Sequence, residues 1–276
     1  MKMNDQVAVV TGAGRGIGRA IAQRCAQEGA KVALVARTPS QLEEVRAEIA
    51  TVGGTAIAIP TDVTDHAAVA TMARQVEDEF GAVDLLVNNA GSHVAIGPAW
   101  EADPSEWWTD VTVNLLSVFL CCRELVPGMV ARGTGRVITL IGGGTDLPFP
   151  YASAYGTGKA AVMRFTECLA VELREHGITV FAVRPGFVRT AMSEFHVHSE
   201  RSLRWIPHVK RRFDRGEDVP PTLAADLIVA LASGRFDALA GRAVRVVDDL
   251  DMVERRMPEI LEKDLYTLRM RVLPHQ

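Results

Sequence analysis

Tyr155 and Lys159 stand four residues apart at the head of a helix-like run, Ala160-Ala-Val-Met-Arg-Phe-Thr-Glu-Cys-Leu-Ala, so both side chains leave one face of a helix. A free phenol titrates near pH ~10 and exchanges protons poorly at neutral pH. An ammonium within about 4–6 Å favours the phenolate and lowers that pKa. Tyr155 is thereby a candidate general acid and base, with Lys159 as the group that tunes it. The same spacing also occurs on ordinary solvated helix faces, so its weight depends on what accompanies it.

A second constellation lies near the amino terminus: Thr11-Gly12-Ala13-Gly14-Arg15-Gly16-Ile17-Gly18. Glycines let a backbone turn tightly and come close to a pyrophosphate, and the first turn of the following helix supplies free N–H groups and positive potential. The glycine spacing departs from the common G-x-G-x-x-G, but its place between the first strand and the first helix is where such a sheet binds a nucleotide. At the end of the second strand, Val35-Ala36-Arg37-Thr38, there is no carboxylate for a ribose 2′-hydroxyl. Arg37, with Arg15 in the turn, suits a 2′-phosphate instead, through charge-assisted contacts in a planar fork. The cofactor expected on these grounds is NADP(H).

The elements that position these groups follow from periodicity. Gln6–Thr11, Lys31–Ala36, Thr55–Ile59, Asp84–Val87, Gly135–Ile141, Ile178–Val183 and Arg242–Val247 are short, β-branched, buried-strand patterns. Helical patterns lie between them over Ile17–Glu28, Ser40–Ala50, Asp65–Phe80, Pro104–Ala131 and Ser153–His176. Strands alternating with helices predict α/β architecture, a doubly wound parallel sheet of seven strands in one Rossmann-like domain, because each parallel pair needs a crossover.

A chain of 276 residues, 48% hydrophobic and 23% charged, is long enough for one large core and too even in composition to suggest two. Its net charge of −4 gives no long-range attraction to nucleic acid or anionic membrane, which leaves a small-molecule partner. No run of apolar residues long enough to span a bilayer and no signal-like stretch is visible, so a cytoplasmic protein is expected. Cys25, Cys121, Cys122 and Cys168 fall in apolar helical patterns without Cys-x-x-Cys spacing, which predicts buried thiols and no metal site.

Thr11-Gly12-x-x-x-Gly16-x-Gly18, Asn88-Asn89-Ala90-Gly91, Tyr155-x-x-x-Lys159 and Pro185-Gly186 occur in that order at strand ends, and together they resemble the short-chain dehydrogenase/reductase family over about residues 5–250. The resemblance implies that Gly12, Gly16, Ile17 and Gly18 hold the pyrophosphate and that Asp62 and Val63 meet the adenine. It places Asn88 and Ala90 on the cofactor's ribose and nicotinamide side, and Pro185, Gly186, Val188 and Thr190 at the carboxamide. Asn114 would hold a water in a proton relay, Tyr155 would be the acid/base, and Lys159 would bind the nicotinamide ribose. A homodimer or homotetramer is the family's usual assembly.

The family's catalytic serine would fall thirteen residues before the tyrosine, at Gly142 in Ile141-Gly142-Gly143-Gly144-Thr145. A glycine side chain cannot donate to an oxyanion, and loss of one such donor costs about 10²–10³ in rate. Thr145, Ser153 as a helix cap, and the backbone of the glycine run are alternative sources of polar groups. His93, just past the Asn-Asn-Ala-Gly turn, is a candidate substrate contact, as is Gly142. Residues 191–221 lose periodicity and form the expected substrate lid, and 251–276 form an extension whose apolar pattern suits covering the site, a neighbouring subunit or the chain's own sheet. Three functions fit: an NADPH-dependent reductase, an enzyme of proton-transfer chemistry that keeps the cofactor, and a non-catalytic NADP(H) sensor.

Overall fold

The structure, a computed structural model, describes residues 3–270. Seven strands form one sheet: β1 (Val7–Thr11), β2 (Lys31–Ala36), β3 (Thr55–Pro60), β4 (Leu85–Asn88), β5 (Gly135–Leu140), β6 (Ile178–Arg184) and β7 (Ala243–Arg245). Every pairing is parallel and the order is β3-β2-β1-β4-β5-β6-β7. The order reverses direction between β1 and β4, so the chain ends of these strands diverge and leave a crevice there.

Both faces of the sheet are covered, which is why the strands read as continuous apolar runs. On one face α1 (Gly16–Gln27), α2 (Pro39–Thr51) and α10 (Thr222–Ala232) bury Ile21, Leu42, Ile49 and Ile228 against Leu34, Leu85 and Ile138. The other face carries α3 (His66–Phe80), α5 (Ser117–Arg132) and α6 (Ser153–Leu173), with Met72, Val76, Leu125, Met129 and Val162 in the core. Each such side chain, fully buried, contributes roughly 1.5–3 kcal/mol.

The helix expected over 104–131 is α4 (Pro104–Val111), then a π turn at Thr112–Leu116, then α5. Such turns gather at functional positions, and this one holds Asn114. The whole stretch Pro104–Arg132 is long and apolar enough, by length and composition, to cross a membrane, but half of it is buried inside this protein, as a core helix is. The segment expected as an irregular lid is instead three short helices, α7 (Ala191–His198), α8 (Glu200–Trp205) and α9 (His208–Asp214). They were illegible because each is too short to show a period. Beyond β7, α11 (Leu250–Arg255) and α12 (Met257–Glu262) put Val253 and Ile260 into the core, and the Ala243 N–H donates to the Tyr266 carbonyl at 2.9 Å. The described part of the tail therefore packs on its own sheet; residues 271–276 lie outside the described residues. Cys25, Cys121 and Cys122 are buried, whereas Cys168 is exposed on α6, contrary to expectation.

Candidate active site

The crevice between β1 and β4 is bounded by the glycine turn. Thr11 ties the two strand ends together: its hydroxyl accepts from the N–H groups of Asn89 and Ala90, both at 3.0 Å, and its carbonyl accepts from the Asn89 amide at 2.8 Å. Gly12 and Gly16 have φ of 65° and 56°, in the left-handed region that disfavours a Cβ. A Cβ at Gly18 would overlap the Gly12 carbonyl. No side chain caps α1, so its first N–H groups face the cleft without partners from a capping residue. An uncapped helix start with a bare glycine approach is the donor set a pyrophosphate needs, and the residues fit a dinucleotide.

Arg15, Arg37, Asp62 and Val63 line the same cleft, as do Ala90, Asn114, Pro185 and Thr190. Asp62 is held below the usual carboxylate range, chiefly by hydrogen bonds from the Thr64 hydroxyl and N–H, with a smaller contribution from Arg37. Arg15 and Arg37 form no ion pair with any described carboxylate within 4.0 Å, which leaves both guanidinium groups available. Thr190 caps α7 through a reciprocal pair with Ser193, which fixes where the lid begins at the cleft's mouth.

At the far end of the cleft lie Tyr155 and Lys159, both from α6, the lysine buried and the tyrosine half-buried. The Lys159 ammonium donates to the Leu140 carbonyl at 2.9 Å and lies 5.8 Å from the Tyr155 ring centroid. Burial pushes the phenol up to about 12, with the Asp110 charge adding to the rise and Arg184 opposing it. Burial likewise pushes Lys159 down to about 8. The tyrosine was expected to be lowered by the lysine, but its shift runs upward, set by desolvation and Asp110, and Tyr155 is a protonated phenol at neutral pH.

The loop after β4 is organised by a carboxylate that sequence reasoning missed. Asp110, fully buried on α4, accepts from the Ser92 hydroxyl at 2.6 Å and from the N–H groups of Val94 and Ala95, both at 2.9 Å. One turn further, the Asn114 amide donates to the carbonyls of Ser92 and Asp110 at 2.6 and 2.7 Å. The only sequence signal was the four-residue spacing of Asp110 and Asn114, which any exposed acid shares.

The short chain dehydrogenase family model matches residues 6–201. The chain belongs to the short-chain dehydrogenase family. It is 33% identical over 271 residues to short chain dehydrogenase mpl6 of Monascus purpureus, covering 95% of this chain and 88% of that one. It is 35% identical over 240 residues to a 3-oxoacyl-[acyl-carrier-protein] reductase of Synechocystis, with 84% and 94% covered. Among solved structures it resembles a variant of actinorhodin polyketide ketoreductase with NADPH, TM-score 0.80 and 30% identity over 89% of this chain and 97% of that one. A metagenomic short-chain oxidoreductase in complex with NADP gives TM-score 0.71 and 33% identity, with 84% and 93% covered. This is a family of oxidoreductases acting on small molecules.

Not every residue expected from the short-chain dehydrogenase pattern lines the cleft. Asn88 is buried and turned away, its amide directed at Cys122 Sγ and the Thr139 hydroxyl; its neighbours Asn89, Ala90 and Gly91 face the crevice instead. Side chains alternate across a strand end, so adjacent asparagines cannot both point inward. Gly186 and Val188 lie behind the cleft wall, where Val188 is buried and bridges to Val219, while Ala191 and Met192 take the lining position beyond Thr190. Thr61, Thr64, Gln41 and Val113 also line it.

Around Gly142 the three-glycine run has a steric cause. A Cβ at 142 would overlap the Tyr155 hydroxyl, one at 143 would sit 3.0 Å from the Phe149 ring, and one at 144 would overlap the Gly156 backbone. The possible polar stand-ins are committed elsewhere. Thr145 donates to the Gly142 carbonyl at 2.8 Å, and Ser153 accepts from the Trp107 indole at 3.1 Å without capping α6. Two lid cations are also paired, Lys210 with Asp214 at 2.7 Å and Arg212 with Glu217 at 2.9 Å.

Proposed function

We propose that this short-chain dehydrogenase is an NADPH-dependent reductase of a C=O or related C=X bond in a small organic molecule. The observation that carries it is the half-buried, protonated Tyr155 phenol lining one end of a cleft whose other end presents Arg15 and Arg37. When bound, the cofactor supplies a hydride. Gly12, Gly16, Ile17 and Gly18 would hold its pyrophosphate, Arg15 and Arg37 its 2′-phosphate, Asp62 and Val63 its adenine, and Ala90, Pro185 and Thr190 its nicotinamide side. These residues and no carboxylate at position 36 favour NADPH over NADH.

Tyr155 then hands its proton to the substrate oxygen as negative charge develops there. A phenol raised by burial keeps its proton through the neutral range, and an alkoxide is basic enough to take it. Lys159 stabilises the phenolate left behind and meets the ribose. Asn114 holds Ser92 in place and, with its carbonyl oxygen on the side of Gly91 that also faces Lys159 Nζ, is placed for a water-borne proton return. Non-redox proton transfer rested on Gly142, and Gly142 has a sufficient reason in the Tyr155 hydroxyl beside it. We take the enzyme to be a cytoplasmic homo-oligomer; exposed Phe119 on α5 and Val171 on α6 support self-association, which light scattering tests.

The deciding experiment follows NADPH absorbance over a ketone panel. NADPH is consumed one for one with substrate, and Tyr155→Phe abolishes that turnover while leaving NADPH affinity nearly unchanged. Product formation without NADPH consumption would reject the reductase reading.

A further inference from the structure

His93 lies almost flat on the acid. Its ring is stacked on Tyr155 with centroids 4.3 Å apart and planes at 29°. From the lid, His196 of α7 packs against His93 at 4.4 Å and 60°. Phe149 closes a third side at 5.6 Å. His93 is 8% exposed and His196 3%, and Nε2 of each is buried without a hydrogen-bond partner. Nδ1 of His196 is bound to the Ser202 hydroxyl at 2.9 Å, so that ring's remaining valence is Nε2.

Two unpartnered ring nitrogens on touching rings, beside the proton donor, are an exception to the rule that buried polar atoms are satisfied. Neither titrates in the neutral range: burial, then the neighbouring His196, His208 and Lys159, hold His93 well below the ordinary value, and burial holds His196 at about 4. A neutral imidazole has one donor and one acceptor nitrogen, so the pair can meet a carbonyl or a hydroxyl but brings no charge for a carboxylate. A metal is not the natural occupant, since no group of three or more ligating side chains occurs among the described residues. Beside them lies an apolar cluster that includes Ile96, Ile206, Phe149 and Trp205, with His208 against Phe149.

We propose that His93 and His196 form a substrate subsite that takes a neutral oxygen function lying within a few bonds of the carbonyl facing Tyr155. The proposal rests on the reductase reading for the position of the reacting carbonyl. It also explains how a substrate is oriented where position 142 has no room for a hydroxyl side chain: the second oxygen is gripped by the histidines, and the reacting oxygen is left to Tyr155. The substrate class is an uncharged ketone with a second neutral oxygen function, an ester, ketone or hydroxyl, carried on an apolar body. His196 arrives with the lid, so the subsite is complete only with α7 seated.

The test compares ethyl acetoacetate with methyl pentyl ketone, similar in length and differing in the second oxygen function. The wild-type enzyme should prefer the keto ester by about tenfold or more in kcat/KM. His93→Phe and His196→Phe, which keep a ring for the stack, should remove that preference by raising KM for the keto ester alone, and His93→Gln should recover part of it. An unchanged ratio in the Phe variants overturns the subsite while leaving the reductase reading standing. A second measurement does not need turnover: ring-nitrogen NMR of histidine-labelled enzyme with NADP⁺, titrated with ethyl acetoacetate. Shifts at Nε2 of both histidines are expected and none with methyl pentyl ketone; silence with both ligands overturns the proposal, while shifts without any NADPH oxidation would retain the subsite and reject the reductase.

Discussion

Gly142 and Lys159 make opposite kinds of statement about Tyr155. A serine Cβ at 142 has to displace the Tyr155 hydroxyl, so Gly142→Ser should reduce turnover on any ketone by roughly 10² or more while NADPH affinity holds, because the phenol is moved from its donor position. A gain in turnover would mean that the hydroxyl and the serine find room together. Lys159 sets the pH profile. Its folded pKa is depressed from 10.5 to about 8, so the ammonium is present below about pH 8 and lost above it. Reduction should therefore fall as pH rises through about 8, and Lys159→Arg should carry the falling limb to higher pH in a kcat profile. The contribution to stability has the other sign: between about 8 and 10.5 the unfolded chain binds a proton that the folded chain does not, so this group makes folding more favourable as pH rises. Activity and stability should thus diverge over that window. The tyrosine and lysine were legible from spacing, but the direction of the tyrosine's shift was not, because desolvation depends on what the lid and the loop after β4 cover.

Asp110 shows what one carboxylate on α4 does for a whole segment. It receives three hydrogen bonds from the loop that carries His93, and loses charge and half its acceptor capacity in Asp110→Asn. That change should cost about 2–4 kcal/mol of stability, seen as a lower Tm, and should raise KM for substrate more than for NADPH, since the glycine turn is anchored separately by Thr11. Equal losses for both ligands would show that the loop and the turn move as one. Elements of this length were the hardest to foresee. The long helices and the strands announced themselves by period, whereas α7, α8 and α9 span eight, six and seven residues and are held by contacts to one another and to a cluster that includes Ile96 and Phe149. The inward turn of Asn89 in place of Asn88 is likewise set by strand register, which two identical residue types cannot reveal.

For the molecule as a whole, cofactor choice is the sharpest expectation. With Arg15 and Arg37 on the cleft and Ala36 where an acid would stand, NADPH should bind at least about tenfold more tightly than NADH, and Arg37→Asp should invert the order by calorimetry. The advantage should shrink with added salt, since both arginines are largely exposed. The doubly wound sheet was legible in full because alternation of strand and helix leaves few topologies, and the crevice at its reversal of order followed from the same rule. That reversal also bears on how the chain is made. β1 pairs with β2 early in the order of translation, yet its other edge belongs to β4, whose partner residues begin only at Leu85. On the ribosome the nascent sheet therefore passes through a stage with β1, the future centre of the molecule, as an apolar open edge. Chains released between the completion of β2 and the emergence of β4 should be the insoluble ones, and the crevice that holds the chemistry comes into being at the moment that edge is closed.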